Sequence, residues 1–314
     1  MDDRVRVIVL GGGPDAEREV SLASARNVAG ALRESARFDV REHTIEVCTI
    51  EDLRSMEGDV FFPVLHGPWG EGGTLQELLE SDGRPFVGAG ASPSRLAMDK
   101  EATKALALRL GISTPDAVRF DPACETCPLP LPVIVKPNAE GSTIGMHICT
   151  TPSQWREAFR RTCERGVAAL VERYVEGHEL TVGVLCGEPL SIVEIVPAEG
   201  WYDYDAKYAR DDTEYIVAPA LGDELDAMIR EDSLRIARHI GCDSLARVDW
   251  MLSEQGVPML LEVNTIPGFT SHSLLPMAGA HDGMPMPDLC ERLVDEAFRC
   301  RGVEMPRRDE AVIV

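Results

Sequence analysis

Basic residues are scarce in this chain. Its 31 lysines and arginines stand against 53 aspartates and glutamates, a formal net charge of −22 over 314 residues. Such a field repels nucleic acid and anionic membranes, so neither is expected as a partner. Any nucleotide must be held by a local cluster of lysines and arginines. Long apolar runs are missing too, and none approaches the length of a membrane span. The opening Met1-Asp2-Asp3-Arg4 has neither the basic flank nor the apolar stretch of a signal peptide. The nine cysteines are scattered and odd in number, which argues against a secreted disulfide framework. Cys124 and Cys127 form one CxxC in a proline-rich stretch. With no second half-site nearby, metal or redox use of that pair is not expected. No internal repeat or low-complexity tract is present. These absences fit a cytoplasmic setting where ATP is available.

What the chain has is 44% hydrophobic content, enough for two or three domains with real cores. Val5 to Leu10 is a short β-branched run that stops at Gly11-Gly12-Gly13, which reads as a buried strand entering a glycine turn. Helical spacing follows from Glu17 to Leu32, then a strand near Asp59 to Leu65. Strand, turn, helix, strand is the pattern of a parallel α/β sheet, placed at about residues 1–97. Ser92-Pro93 suits an N-cap and first helical residue. A helix is expected over Met98 to Leu110, a strand over Leu131 to Lys136, a helix over Ser153 to Arg165 and a strand over Ala168 to Tyr174. The stretch Arg301 to Val314 has no clear period and reads as a loose tail.

Leu245 to Asn264 is the most informative segment. Two β-like runs flank Ser253-Glu254-Gln255-Gly256, a turn signal. A hairpin centred between Gln255 and Gly256 sets Asp249 opposite Glu262 and Arg247 opposite Asn264, all on one face. Trp250 opposite Leu261 and Val248 opposite Val263 then form a core face. Directly opposed carboxylates repel, so a cation must compensate. Asp, Glu and Asn oxygens suit Mg²⁺. A solvated hairpin face with a surface Arg–Asp pair is the alternative. Asn264-Thr265-Ile266-Pro267-Gly268 shifts the balance toward a site.

The loop after Lys136, Pro137 to Gly145, has two glycines and two hydroxyls. Its backbone N–H groups suit phosphate oxygens, and Lys136 adds a point charge. An ordinary turn has the same composition. The order of lysine and glycines is not that of a Walker motif. Gly11-x-Gly13-x-x-Ala16 follows a strand and opens a helix, as a dinucleotide fingerprint does. A nicotinamide-dependent oxidoreductase is therefore a rival. Against it, Pro14 and Asp15 stand where a pyrophosphate would approach, and Asp15, Glu17 and Glu19 would repel it.

Nine short motifs occur together in order. They are Gly11 to Ser21 (Gly-Gly-Gly-Pro-Asp-Ala-Glu-Arg-Glu-Val-Ser), Leu65-His66-Gly67, Gly73-Thr74-Leu75-Gln76, Met98-Asp99-Lys100, Val133-Ile134-Val135-Lys136-Pro137, Glu140-Gly141-Ser142, Tyr202 to Tyr208, Arg247-Val248-Asp249, and Leu261 to Ser273. In this combination the chain resembles the D-alanine–D-alanine ligase family. The resemblance implies an ATP-grasp fold, α/β and α+β. Its parts would be an N-terminal Rossmann-like parallel-sheet domain (1–97), a central domain (98–178) and a C-terminal domain with the metal and substrate site (179–314).

By the same resemblance, Lys100, Lys136 and Lys207 contact ATP phosphates. Glu172, Val175 and Glu179 hold adenine and ribose, with Tyr174 packed nearby. Asp249, Glu262 and Asn264 bind two Mg²⁺ or Mn²⁺ ions. Glu17 binds the ammonium of the first D-alanine, and His66 lies near the substrates. Ser142 and Tyr208 link to Glu17 and close a loop over the site. Arg247 and the Gly268 N–H stabilise an oxyanion, and Ser273 takes the second D-alanine's carboxylate. A cytoplasmic homodimer serving peptidoglycan synthesis is implied as well. Taken singly, these residues have plainer readings: Glu17 as a first-turn acid, His66 as a satisfied strand-end histidine, Ser142 as a turn residue, Tyr208 as a core aromatic, Lys100 as a solvated helix lysine.

The chemistry is coherent. A carboxylate is a poor electrophile, and γ-phosphoryl transfer turns it into an acyl phosphate with a good leaving group. Acyl phosphates hydrolyse, so a closing segment is needed; the Ser142 loop and Trp201 to Thr213 are candidates. Ligases of this fold that take D-lactate or D-serine second are the near alternative, and Tyr208 favours D-alanine. A binding-only homologue has no need of paired acids facing a lysine-rich loop. Two departures from the family stand out: Gly72 follows Glu71 where an acidic residue is common, and Asp116 to Pro130 is short.

Overall fold

The computed structural model describes residues 4–141, 145–197 and 213–305. Strand β1 (Val5–Gly12) is the centre of a three-stranded parallel sheet, with β2 (Phe38–Ile45) on one side and β3 (Val60–Pro63) on the other. All of β1 except Arg6 is buried, as expected where elements cover both faces. Helix α1 (Arg18–Arg33) follows the glycine turn, and Glu17 is its N-cap residue. The expected helix from Glu17 therefore holds to within a residue. Its small buried residues, Ser21, Ser24 and Ala25, let it lie close to the sheet. Two short helices, α2 (Ile50–Ser55) and α3 (Gly67–Gly70), and α4 (Thr74–Asp82) complete this part.

Helix α5 (Ala91–Met98) begins earlier than Ser92-Pro93 suggested. Gly90 is its N-cap, and the first N–H is satisfied from a distance: Ala91 N donates to Glu80 Oε1 at 2.9 Å. A remote carboxylate has displaced the local serine. Helix α6 (Lys100–Arg109) starts from an Asp99 cap that accepts from Ala102 N at 3.0 Å.

The next sheet is antiparallel and ordered β4 (Ala117–Arg119), β7 (Ala169–Arg173), β5 (Val133–Pro137), β6 (His147–Cys149). It carries α7 (Pro152–Arg165), whose Thr151–Gln154 capping box fixes its start. Phe120, Trp155 and Phe159 fill the space between helix and sheet.

A five-stranded antiparallel sheet follows, ordered β10 (Glu214–Val217), β9 (Glu188–Val196), β8 (Gly177–Leu185), β11 (Leu245–Ser253), β12 (Pro258–Asn264). Helix α8 (Asp223–Ile240) packs its Ile229, Ile236 and Ile240 against Val182, Val248 and Trp250. Helices α9 (Leu274–His281) and α10 (Met286–Arg301) pack on the other side. There Leu293, Val294 and Ala297 share one core with Val28 and Leu32 of α1, which ties the parallel sheet to the C-terminal sheet. Helix α10 runs to Arg301, where a loose tail was expected to begin, and residues 306–314 lie outside the described part.

The β11–β12 hairpin keeps the expected pairs Asp249–Glu262, Val248–Val263 and Arg247–Asn264. Nearer the turn the register differs: Trp250 faces Leu260, not Leu261. The turn closes by Gly256 N→Ser253 O at 2.8 Å and Ser253 N→Val257 O at 3.0 Å, so it is centred one half-step earlier than the composition suggested. A β-bulge between Asp249 and Trp250 absorbs the difference and returns the acids to opposition.

Candidate active site

The polar face of the hairpin forms one wall of an open cleft. Glu17, His66, Glu179, Arg247, Asp249, Glu262, Asn264, Gly268 and Ser273 all line it. These residues come from α1, the turn after β3, β8, the hairpin and the loop that follows it. The structure thus brings together most of the residues expected from sequence.

Two acids face each other here, and each meets a cation. Arg247 grips Asp249 with two bonds, Nε to Oδ1 at 2.8 Å and Nη2 to Oδ2 at 2.7 Å. Thr181 Oγ1 on β8 adds a third at 2.6 Å. Lys100 Nζ reaches Glu262 Oε2 at 3.0 Å and also donates to Glu140 O at 2.8 Å. The Arg–Asp pair of the plainer reading does exist, but its side chains are only 17% and 10% exposed. It is part of a cleft wall, not a solvated face. Lys100 is likewise buried, which sets aside its reading as a solvated lysine. The amide of Asn264, oriented by its neighbours, accepts from Arg247 Nη2 at 2.7 Å and donates to Glu71 Oε2 at 3.1 Å.

His66 ends the turn after β3. Its Nδ1 lies 3.1 Å from Ile266 O, while Nε2 is buried with no hydrogen-bond partner among the described residues. A satisfied core histidine would have both nitrogens engaged, and among the described residues His66 does not meet that condition. Burial pushes its pKa down, which keeps the ring neutral. Glu71, beside it, accepts from Gly67 N at 3.0 Å. Burial, then the nearby charge of Glu17, pushes the Glu71 carboxyl up to about 8.

Gly268 sits in a loop pinned to α1. Phe269 N donates to Ser24 Oγ at 3.1 Å, Asn27 Nδ2 donates to Phe269 O at 3.1 Å, and the Phe269 ring meets Phe62 edge-on. A Cβ on residue 268 would lie 2.7 Å from Ser273 Oγ, so a larger residue there would displace that hydroxyl. Ser273 Oγ accepts from Thr270 N at 2.8 Å at the start of α9. The glycine loop after β5 comes in from the other side: a Cβ on Gly141 would lie 3.3 Å from Glu17 Oε2. Ser142, the next residue, lies outside the described residues, as do Lys207 and Tyr208.

Lys136 and Glu172 form a separate buried group. Lys136 Nζ donates to Glu172 Oε1 at 2.8 Å, and Lys104 Nζ lies 2.6 Å from Glu172 Oε2. The Glu172 carboxylate is thus paired with two lysines, hydrogen-bonded to Lys136 and in charge contact with Lys104. Tyr174 is half-buried in the β7–β8 connection, its N–H donating to Pro132 O at 3.2 Å, and Val175 is buried beside it. Burial pushes the Tyr174 hydroxyl up, with Glu176 and Glu179 adding to the effect.

Sequence reasoning singled out no role for Glu71, Lys104 or Thr181, and gave Asp15 only that of repelling a pyrophosphate. Asp15 Oδ2 accepts from Trp69 N at 3.0 Å and so ties the glycine turn to α3. Only Lys104 carried a signal, one helical turn beyond Lys100. The glycine turn itself is internally satisfied: Gly12 N donates to Ser21 Oγ at 2.8 Å, Gly13 N to Ile45 O at 2.8 Å, and Arg18 Nη1 to Gly13 O at 2.8 Å. Those N–H groups are what a dinucleotide pyrophosphate would need, so the nicotinamide reading loses its binding element.

Among the described residues, no group of three or more His, Cys, Asp and Glu side chains gathers as a metal cluster. The candidate set is two carboxylates and an amide. Its oxygens are hard donors, and those of Asp249, Glu262 and Asn264 are already turned toward cationic groups. That donor chemistry fits Mg²⁺, which borrows its remaining ligands from water and phosphate. No helix among the described residues is long and apolar enough to cross a membrane.

Comparison with known proteins identifies the family. The family model described as D-ala D-ala ligase C-terminus matches residues 119–295, and that of the D-ala D-ala ligase N-terminus matches residues 41–89. The chain is 39% identical to a D-alanine–D-alanine ligase of Anaeromyxobacter dehalogenans (strain 2CP-C) over 298 residues, 93% of this chain and 96% of that one. Its structure is similar to the D-alanine–D-alanine ligase of Bacillus anthracis, at TM-score 0.84 and 30% identity over 95% of this chain and 99% of that one. The Bacillus anthracis ligase is also known complexed with ATP, where the TM-score is 0.81, the identity 29%, and the coverage 95% of this chain and 98% of that one. The VanG D-Ala:D-Ser ligase of Enterococcus faecalis is similar too, at TM-score 0.79 and 27% identity over 94% of this chain and 99% of that one. The chain belongs to the D-alanine–D-alanine ligase family.

Proposed function

We propose that this chain uses ATP to join two D-alanine molecules into D-alanyl-D-alanine for peptidoglycan precursors. The observation that carries the reading is the opposition of Asp249 and Glu262 in the same cleft as Glu17, Arg247, Gly268 and Ser273. Family membership and the ATP complex of a similar ligase support the nucleotide.

The residues divide the work by charge. Glu17, buried at the start of α1, receives the ammonium of the first D-alanine, with the neutral His66 alongside. Lys100 and Lys136, with Lys207, hold the nucleotide's phosphates and offset their repulsion of the substrate carboxylate. Tyr174, Val175, Glu179 and Glu172 flank adenine and ribose. Asp249, Glu262 and Asn264 hold two Mg²⁺ or Mn²⁺ ions, which supply positive charge to the transferring phosphoryl group. Phosphorylation of the first carboxylate gives an acyl phosphate. The second D-alanine, its carboxylate at Ser273, loses a proton and attacks it. Arg247 and the Gly268 N–H face the oxyanion, which collapses to dipeptide and phosphate. Ser142 and Tyr208, which lie outside the described residues, are assigned by the family resemblance to the closing segment that keeps water out; Gly141, next to Ser142 in the chain, lies close to Glu17. The division into 1–97, 98–178 and 179–314, and a cytoplasmic homodimer, belong to the same reading.

D-serine or D-lactate as the second substrate is the near rival, and Tyr208 weighs for D-alanine. Coupled measurement of ADP release with D-alanine, D-lactate and D-serine separates them. Release that depends on D-alanine alone is the expected result; release indifferent to D-alanine refutes the reading.

A further inference from the structure

Helix α6 presents a second lysine that the roles above leave unused. Lys100 and Lys104 are one turn apart and share a helix face. Lys100 turns to Glu262 of the C-terminal sheet, and Lys104 to Glu172 of the central one. Lys104 Nζ lies 2.6 Å from Glu172 Oε2 and donates to Thr114 Oγ1 at 2.6 Å. That hydroxyl is itself committed, donating to Leu260 O on β12 at 2.9 Å, so a lone pair faces Lys104. Glu172 Oε1 accepts from Lys136 Nζ at 2.8 Å. The side chains of Lys104, Glu172 and Lys136 are 6%, 3% and 6% exposed, so little water screens the group.

Two ammonium groups thus share one carboxylate, and the cluster carries one surplus positive charge. Without Lys104, Lys136 would face Glu172 alone and the surplus would vanish. We propose that Lys104 is a positioning residue for the nucleotide: by taking half of the Glu172 carboxylate, it leaves Lys136 with positive charge to offer the phosphates. In a poorly screened site that surplus acts strongly on an anion. The inference rests on the reading that Lys136 contacts phosphate. It also explains the anchoring of Lys104 by Thr114, since an ammonium buried against its preference for water needs a second acceptor. Burial pushes Lys104 down to about 8, and the contacts with Glu172 oppose that push.

The test is calorimetric binding of ATP, ADP and adenosine in EDTA, read as the ratio of ATP to adenosine affinity. In Lys104→Met the ratio falls about tenfold, as for loss of one charge-assisted interaction, while adenosine binds as before. In Lys104→Met/Glu172→Gln the surplus charge returns and the ratio recovers. An unchanged ratio in Lys104→Met, or no recovery in the double variant, overturns the proposal. Should Lys104→Met fail to fold, the double variant decides: a ratio near that of the unmodified chain supports the proposal, and a low one refutes it. Lys136→Met separates the two layers. A normal ratio there refutes the phosphate reading itself; a low ratio there with a normal one in Lys104→Met refutes only the role of Lys104.

Discussion

Replacing Glu262 with glutamine keeps the side chain's size and removes one charge. Two effects on stability follow, and both are small. The ion pair with the buried Lys100 loses its charge, but Glu262 is 25% exposed and the glutamine oxygen still accepts from Lys100 Nζ, so the cost is about 1 kcal/mol. Lys100 keeps its bond to Glu140 O at 2.8 Å, so no buried ammonium is orphaned. Relief of the repulsion from Asp249 works the other way. The melting temperature should therefore move by no more than about 2–4 °C. Catalysis should respond far more. Removing a group that merely supports a metal ligand costs about 10- to 100-fold. Removing a ligand carboxylate should exceed that, so kcat/KM should drop by more than about 100-fold, or about 2.7 kcal/mol of transition-state stabilisation. Coupled ADP release over a magnesium titration, with a melting curve on the same sample, measures both. Turnover within about threefold of the unmodified chain at its magnesium optimum would mean that Glu262 binds no metal needed for the reaction.

Other consequences follow from packing and charge. Trp250→Ala should cost about 3–5 kcal/mol in urea unfolding, because the ring is 1% exposed in the core between α8 and β11. Trp250→Phe should cost less, since it mainly forfeits the Nε1 bond to Ser233 Oγ at 2.9 Å, and Ser233 still donates to Ile229 O. A thiol reagent should label the exposed Cys124 and Cys163 in the folded state, and Cys242 and Cys290 only on unfolding, because burial raises both of the latter, Cys242 to about 12. Mass spectrometry of peptides would read this directly. At Asp59, burial raises the carboxyl, but the two-pronged grip of Arg6 outweighs it and the net pKa is lowered. A lowered folded pKa stabilises above the ordinary aspartate pKa and is lost as pH falls through the folded value. The stability gap between the unmodified chain and Asp59→Asn should thus be present at pH 7 and shrink toward pH 3.

Features visible in the sequence were those set by neighbours along the chain. Side-chain alternation is a property of the strand, so the shared face of Arg247, Asp249, Glu262 and Asn264 followed once the turn was located. The half-step error at Trp250 shows the limit: a bulge is decided by how β12 packs, with Leu260 N donating to Ser113 O on its outer edge. The cap of α5 failed for a similar reason, since Glu80 arrives from another helix.

By itself, the sequence determined the strand, turn and helix order, the opposed acids and the motif set that marks the family, because periodicity and spacing are local. Only the tertiary structure decided which charges meet. Lys100 finds Glu262 and Lys104 finds Glu172 because one helix lies between two sheets. His66 reaches Ile266, 200 residues away, and among the described residues its Nε2 has no hydrogen-bond partner. Electrostatic partners act through space and across burial, and neither is written in the order of residues.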